Sequence, residues 1–409
     1  MEFLRKYLDK IKPNFEKGGK FPWLHSTFDG FETFLFVPNT VTKKGAHIRD
    51  AADSKRLMFV VVVALMPALL FGMFNVGLQH FRAIGDITVA TPYSFDLIWS
   101  CFWYGFLRVL PLILVSYIVG LGIEFIFAQL RGHEINEGYL VTGMLIPLIV
   151  PVNIPLWMVA IAVAFSVILG KEVFGGTGMN IFNPALLARA FLFFAYTPFV
   201  SGETAWFAGT HNGADMIDSF SGATPLGDIT TALSEGASTV TWSNGTGVWD
   251  WIIGTIPGSI GETSVIAILL GAIILLFTGV GSWRTMLACV IGAGGMGIIF
   301  NLIGSNVAME VPFWQHFLFG GFLFGTVFMA TDPVTSAQTN TGKWISGIII
   351  GAFCVLIRVV NPGYPEGMML AILFMNAMAP LVDHYVVAAN VRRRNKRLKV
   401  STGAAGHSA

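Results

Sequence analysis

Two kinds of residue in this chain can carry chemistry. The first is a hydroxyl. Asp218-Ser219-Phe220-Ser221-Gly222-Ala223-Thr224 spells D-x-x-[S/T]-G-A-T in the middle of a long polar loop, where Gly and Ser leave the Thr224 oxygen accessible. At average composition the five specified positions coincide in roughly one chain of this length in a thousand. The second kind is a carboxylate in or beside an apolar segment: Glu124, Glu137, Asp332, Glu366 and Asp383. An ionisable group at membrane depth is costly and marks a candidate functional site. Pairing at a helix end with Arg131, Lys343, Arg358 or His384 would explain Glu137 and Asp383 structurally. Asp332 and Glu366 adjoin prolines at broken helices, where unwound carbonyls supply the oxygen ligands that Na+ takes. Asp332 and Glu366, with Asp383, are therefore the candidates for an ion path.

The elements that position these residues are set by composition. With 54% hydrophobic residues, 12% charged residues, 35 Phe and a mean hydropathy of +0.68, the chain is far more apolar than a soluble domain, which carries about 25% charge. The expected fold is an all-α polytopic membrane protein. Apolar segments fall near 57–78, 97–128, 138–151, 154–171, 181–199, 263–280, 284–304, 313–330, 345–360 and 367–388, which makes ten candidate spans of a hydrocarbon core about 30 Å thick. Two of them end in breaks, at Ile146-Pro147-Leu148-Ile149-Val150-Pro151 and at Ala330-Thr331-Asp332-Pro333. Backbone that is not helical at membrane depth must be buried in protein or line a cavity.

An internal repeat organises the ten. Gly138 and Gly320 each open a similar segment and each precede a proline, Pro151 and Pro333, by thirteen residues. Trp157 precedes Lys171 and Gly176 by fourteen and nineteen residues, and Trp344 precedes Arg358 and Gly363 by the same spacings. Two five-helix halves with an odd number of spans insert in opposite senses, which predicts an inverted repeat. The expected layout is a basic arm over 1–56, a first repeat over 57–199, a loop over 200–262, a second repeat over 263–388 and a basic tail over 389–409. Basic residues at both ends place both termini in the cytoplasm. The loop, which has no Lys or Arg but carries Glu203, Asp215, Asp218, Asp228, Glu235, Asp250 and Glu262, belongs outside.

The pattern around Thr224 resembles the site at which a flavin transferase joins FMN through its phosphate to a threonine hydroxyl. Over its whole length the chain resembles the family of B subunits of the bacterial sodium-translocating NADH:quinone oxidoreductase, a six-subunit complex of the inner membrane. The resemblance is carried by the basic arm, Lys171-Glu172-Val173-Phe174-Gly175-Gly176-Thr177-Gly178, Asn183-Pro184-Ala185, the S-G-A-T loop, Ala330-Thr331-Asp332-Pro333 and Asn361-Pro362-Gly363-Tyr364-Pro365-Glu366-Gly367. It implies covalent FMN on Thr224, with Asp218, Ser221, Gly222 and Ala223 read by the transferase. It also implies a non-covalent riboflavin among the helices and ubiquinone as electron acceptor. Electrons would arrive from a neighbouring subunit with its own covalent FMN, and ultimately from an NADH-oxidising flavin and iron–sulfur subunit, while Na+ moves outward. The segment around His133, Glu134, Asn136, Glu137 and Gly138, with the basic arm, is the expected quinone entrance, since a glycine at 138 lets a flat head group approach the backbone.

A sister family, the D subunits of the ferredoxin:NAD ion-translocating complex, shares the S-G-A-T site but is typically shorter at the N-terminus. A cofactor-free secondary transporter with inverted repeats is the alternative of a different class. Gly292-Ala293-Gly294-Gly295-Met296-Gly297 matches a dinucleotide fingerprint but lies inside an apolar span, where it serves close helix packing. Cys101, Cys289 and Cys354 have no metal or disulfide spacing. No iron–sulfur cluster motif or NADH fold is present, so hydride acceptance falls to another subunit. Lipid is the expected partner of the basic arm and nucleic acid is not.

Overall fold

In a computed structural model of the chain, residues 2–15, 19–20, 28, 45, 54–87, 93–131, 138–202, 205–208, 220–361, 363 and 366–405 are described. Among them there is no strand. Each of the ten apolar segments contains helix. The first half runs α2 (Ser54–Ala83), α3 (Phe95–Arg131), α4 (Tyr139–Ile149), α5 (Leu156–Val167) and α6 (Pro184–Ala195), after a short N-terminal α1 (Glu2–Ile11). Two loop helices follow, α7 (Pro225–Ser234) and α8 (Val248–Ile253). The second half runs α9 (Val265–Phe277), α10 (Trp283–Ile303), the single turn α11 (Phe322–Phe324), α12 (Asn340–Val360) and α13 (Met368–Ala405).

Five of these, within α2, α3, α10, α12 and α13, are long and apolar enough to cross a membrane alone. The others are short. The eleven residues of α4 rise only about 16 Å at 1.5 Å per residue, half of a hydrocarbon core. α4 stops at its predicted break, before Pro151. The segment expected over 313–330 is more broken than its composition suggests: an isolated turn over Gln315–Leu318 precedes α11, which widens into a π-helical turn over Gly325–Met329. Gly320, at φ +56°, takes the left-handed conformation that separates the two pieces. A second π-helical turn, Ile168–Glu172, prolongs α5.

The packing repeats between halves. The second and fourth helices pack together in each half (α3 with α5, α10 with α12), as do the fourth and fifth (α5 with α6, α12 with α13). Equivalent helices also meet across the halves, α2 against α9 and α6 against α13. Gly292, in α10, is one seam of this packing: a Cβ there would strike the Ile348 backbone of α12, and one on Gly351 would strike Cys289. The glycine-rich run thus serves close helix approach, as its place in an apolar span predicts. Apolar side chains turned outward, such as Phe277 and Leu302, suit contact with lipid.

The two broken helices run antiparallel. The end of α4 meets the loop before α9, where the Gly261 amide donates to the Leu148 carbonyl at 2.7 Å. The start of α11 meets the same loop, because a Cβ on Gly321 would stand 2.6 Å from a Glu262 carboxylate oxygen. At the other end of α4, Gly138 lines a cavity together with Thr331, Asp332 and Pro333, where the π-turn after α11 ends. The start of one broken helix therefore faces the finish of the other.

Candidate functional site

A cavity lies at each end of this arrangement. The first, about 240 Å³, has Ala223, Thr224 and Gly227 on its loop side and Ser259, Glu262, Thr263, Gly320 and Glu366 on its helix side. Thr224 is the N-cap of α7: its Oγ1 accepts from the Gly227 amide at 3.1 Å, and Pro225 takes the first helical position. Upstream, the Ser221 amide donates to Asn244 Oδ1 at 3.0 Å, and Asn244 Nδ2 donates to the Ser221 carbonyl at 2.6 Å. Asn244 is at φ +58°, a conformation Asn tolerates better than most residues. Asn244 therefore clamps the S-G-A-T segment. Asp228, in the first turn of α7, accepts from the Ser243 amide at 3.0 Å and the Ser243 hydroxyl at 2.5 Å. Burial pushes the Asp228 carboxyl above the usual carboxylate range, against those two bonds, which pull it back.

The helix side is built on a buried arginine. Arg189, in α6, donates to Glu262 at 2.6 Å, to the Ser259 hydroxyl at 3.2 Å and to Glu366. A buried guanidinium is tolerable only when paired, and this one joins α6 of the first half to the loop before α9 and to the segment between α12 and α13. Arg358, in α12, ties that segment to the break before α11: it donates to the carbonyls of His316 at 2.5 Å, Phe319 at 2.8 Å and Glu366 at 3.2 Å. It satisfies carbonyls that the interrupted helices leave open.

The second cavity, about 290 Å³, is lined by Gly138, Lys171, Asn180, Asn183 and Asp332 among apolar residues including Phe328. Asp332 accepts from Asn183 Nδ2 at 3.2 Å, the Thr335 hydroxyl at 2.9 Å and the Val334 amide at 3.0 Å. Lys171 lies in the π-turn after α5 and pairs with Glu124 of α3, while Glu172 lies 3.6 Å from Arg131.

The structure thus brings Thr224, Ser221, Gly222, Ala223 and Glu366 to one end, and Gly138 with Asp332 to the other. It leaves Asp383 apart from both. The Asp383 carboxylate accepts from the Gln338 amide at 2.6 Å and from the Thr339 amide and hydroxyl at 3.1 and 2.5 Å, tying α13 to the start of α12. Asp218, Glu137 and the rest of the expected quinone entrance, His133 to Asn136, lie outside the described residues. Among the described residues no group of His, Cys, Asp and Glu is placed to hold a metal ion. Sequence reasoning missed Arg189 and Lys171 as organising charges. The signal was available for Arg189, a lone cation within an apolar run.

A model described as the NQR2, RnfD, RnfE family matches residues 41–392. The chain is 47% identical over 414 residues to a protein of Ectopseudomonas mendocina (strain ymp) named as the B subunit of Na(+)-translocating NADH-quinone reductase, covering 96% of this chain and 99% of that one. It is 46% identical to proteins of the same name from Chromohalobacter salexigens and Azotobacter vinelandii, over 96% of this chain and 96% and 99% of theirs.

Proposed function

The chain belongs to the NQR2, RnfD, RnfE family, and from that premise we propose that it is the B subunit of a sodium-translocating NADH:quinone reductase that carries FMN on Thr224. The observation that carries the flavin reading is the place of the Thr224 hydroxyl, at the mouth of a cavity and at the start of a helix. A phosphate ester on that oxygen lies at the positive end of α7, where an anion is favoured and the Gly227 amide is turned toward it. The cavity behind it has room for one flat ring system, slightly below the ~300 Å³ at which small-molecule pockets usually begin, so the phosphate and its chain stay at the mouth. The residues present fit the group. When bound, flavin supplies the electron-carrying chemistry that no side chain here can supply.

The protein's own residues hold, orient and exclude water. Thr224 tethers, Asn244 fixes the approach of the strand to it, and Arg189 with its two carboxylates closes the inner wall. The second cavity, largely apolar with a few polar groups in its lining, suits a flavin held without a bond, such as riboflavin. Of the carboxylates expected on an ion path, Asp332 fits best, because it sits at a helix break in an open cavity, whereas Glu366 is engaged by Arg189 and Asp383 caps a helix. In this reading both termini are cytoplasmic in a bacterial inner membrane, and the S-G-A-T loop faces outward to the transferase. Electrons come from the complex's other subunits and leave to ubiquinone. A role in a ferredoxin:NAD complex is less well supported, because the relatives above carry the quinone-reductase name and match 96% of the chain, the basic arm included.

Mass spectrometry of the Thr224 peptide from the complex co-expressed with the transferase tests the tether. Wild type is expected to carry FMN phosphate, Thr224→Ala none, and Thr224→Ser some, since serine keeps the oxygen but loses the methyl that restricts its rotamer. An unmodified wild-type peptide would refute the proposal.

A further inference from the structure

One residue of the Thr224 cavity has no hydrogen-bond partner among the described residues. The Thr263 hydroxyl is buried and unsatisfied, and the residue is only 4% exposed. Its methyl is turned to Gly258, where a Cβ would come 3.0 Å from it. An unsatisfied buried hydroxyl is costly, and native proteins rarely leave one without a ligand, ion or water to complete it. Beside Thr263 lies charge. Glu262 and Glu366 both stand in the same wall, bound to Arg189 behind it, and Arg358 donates to the Glu366 carbonyl.

We propose that Thr263 binds the polar edge of the flavin ring tethered at Thr224, and that the Glu262–Glu366 pair next to it holds down that flavin's reduction potential. The inference rests on the reading of Thr224 as the attachment residue and adds to it where the ring lies and what sets its potential. The pyrimidine edge of an isoalloxazine carries two carbonyl oxygens and an N–H, to which a hydroxyl can donate or from which it can accept. The dimethylbenzene edge has no such partner. An added electron puts negative charge near the pyrimidine edge, and fixed carboxylates in a water-poor wall oppose it. Arg189, bonded to Glu262, Glu366 and Ser259, and Arg358, bonded to the Glu366 carbonyl, offset part of that field. The side chains gain and lose no electrons; these come from NADH through the complex and leave to quinone.

The test uses the intact complex, co-expressed with the transferase, carrying Thr263→Val, Thr263→Ser or Glu366→Gln. Peptide mass spectrometry is expected to show FMN on Thr224 in all three. Visible absorption and spectroelectrochemical titration then read the ring. Thr263→Val should shift the absorption band and midpoint potential of one flavin, Thr263→Ser should restore both, and Glu366→Gln should move the same flavin's potential upward. Attached flavin with unchanged spectrum and potential in both the Val and Gln variants overturns the inference and leaves the attachment standing. Wild type without flavin on Thr224 overturns both.

Discussion

The two cavities occupy equivalent places in the inverted repeat, yet they hold charge in opposite ways. At the Thr224 end a cation, Arg189, is buried behind two carboxylates that themselves form the wall. At the Asp332 end the cation, Lys171, stands in the wall but is paired with a carboxylate from the neighbouring α3, and Asp332 is held by an amide and a hydroxyl. The first also opens on a polar loop with the Thr224 hydroxyl at its lip. Repetition of the backbone therefore fixes where cavities form, and the side chains decide what each can retain. On the proposed reading, the group at the loop-built mouth is kept by a bond and the one enclosed among helices by contact.

Breaking the charge cluster at the first end should have the largest effect. Arg189→Leu strands Glu262 and Glu366, and loss of one partner from a buried pair costs about 3–5 kcal/mol, seen as a lowered melting temperature of the purified complex. At the second end, Asp332→Asn keeps the shape and removes the charge. Sodium-stimulated quinone reduction should fall by about tenfold or more, the equivalent of a charge-assisted hydrogen bond at about 1.5–3 kcal/mol, while FMN on Thr224 is unchanged. Normal sodium stimulation would remove Asp332 from the ion path. The repeat-related glycines should differ as well. Gly320→Ala forces alanine into the left-handed region, costing about 1–2 kcal/mol, and sets a Cβ 2.7 Å from Leu226 Cδ1. Gly138 has an ordinary helical φ of −59°, and the added Cβ would meet only the Thr177 side-chain methyl, at 2.5 Å, so Gly138→Ala should destabilise less. Equal losses in thermal stability would show the two ends to be mechanically alike. Smallest is Asn244→Ala, which removes two hydrogen bonds to Ser221 and should speed exchange of the Ser221 amide by about tenfold, for ~1 kcal/mol of net bond energy. Unchanged exchange would mean that the clamp does not hold the strand.

What the sequence made legible is what local chemistry dictates. Hydropathy located all ten apolar segments, and the prolines after Val150 and Asp332 marked both breaks, because chain length and backbone satisfaction in lipid leave few alternatives. The D-x-x-[S/T]-G-A-T pattern pointed to Thr224 because a modifying enzyme reads a short linear stretch. The inner wall was not legible in this way. Arg189 meets Glu262 across 73 residues and Glu366 across 177, and no periodicity within one helix says which distant carboxylate a cation finds. The π-turns at Ile168–Glu172 and Gly325–Met329 were missed because no residue type specifies the extra residue in the turn; packing does. Asp383 was ambiguous in the sequence for a related reason. A carboxylate near an apolar run looks alike whether it faces an ion or caps a neighbouring helix.

The brevity of α4 gives it a second character. It is a strut. One tip, at Gly138, borders the Asp332 cavity, and the other, through the Leu148 carbonyl and the Gly261 amide, grips the loop from which Glu262 and Thr263 project. Gly261 itself is pressed against that tip, with the Leu148 side chain 2.8 Å from where its Cβ would stand. Tyr117 and Ser116 of α3 hold the shaft, the Tyr117 hydroxyl donating to the Leu140 carbonyl at 2.7 Å and the Ser116 hydroxyl to the Gly143 carbonyl at 2.9 Å. A tilt of so short a rod about that support would move its two tips in opposite directions, one beside each cavity.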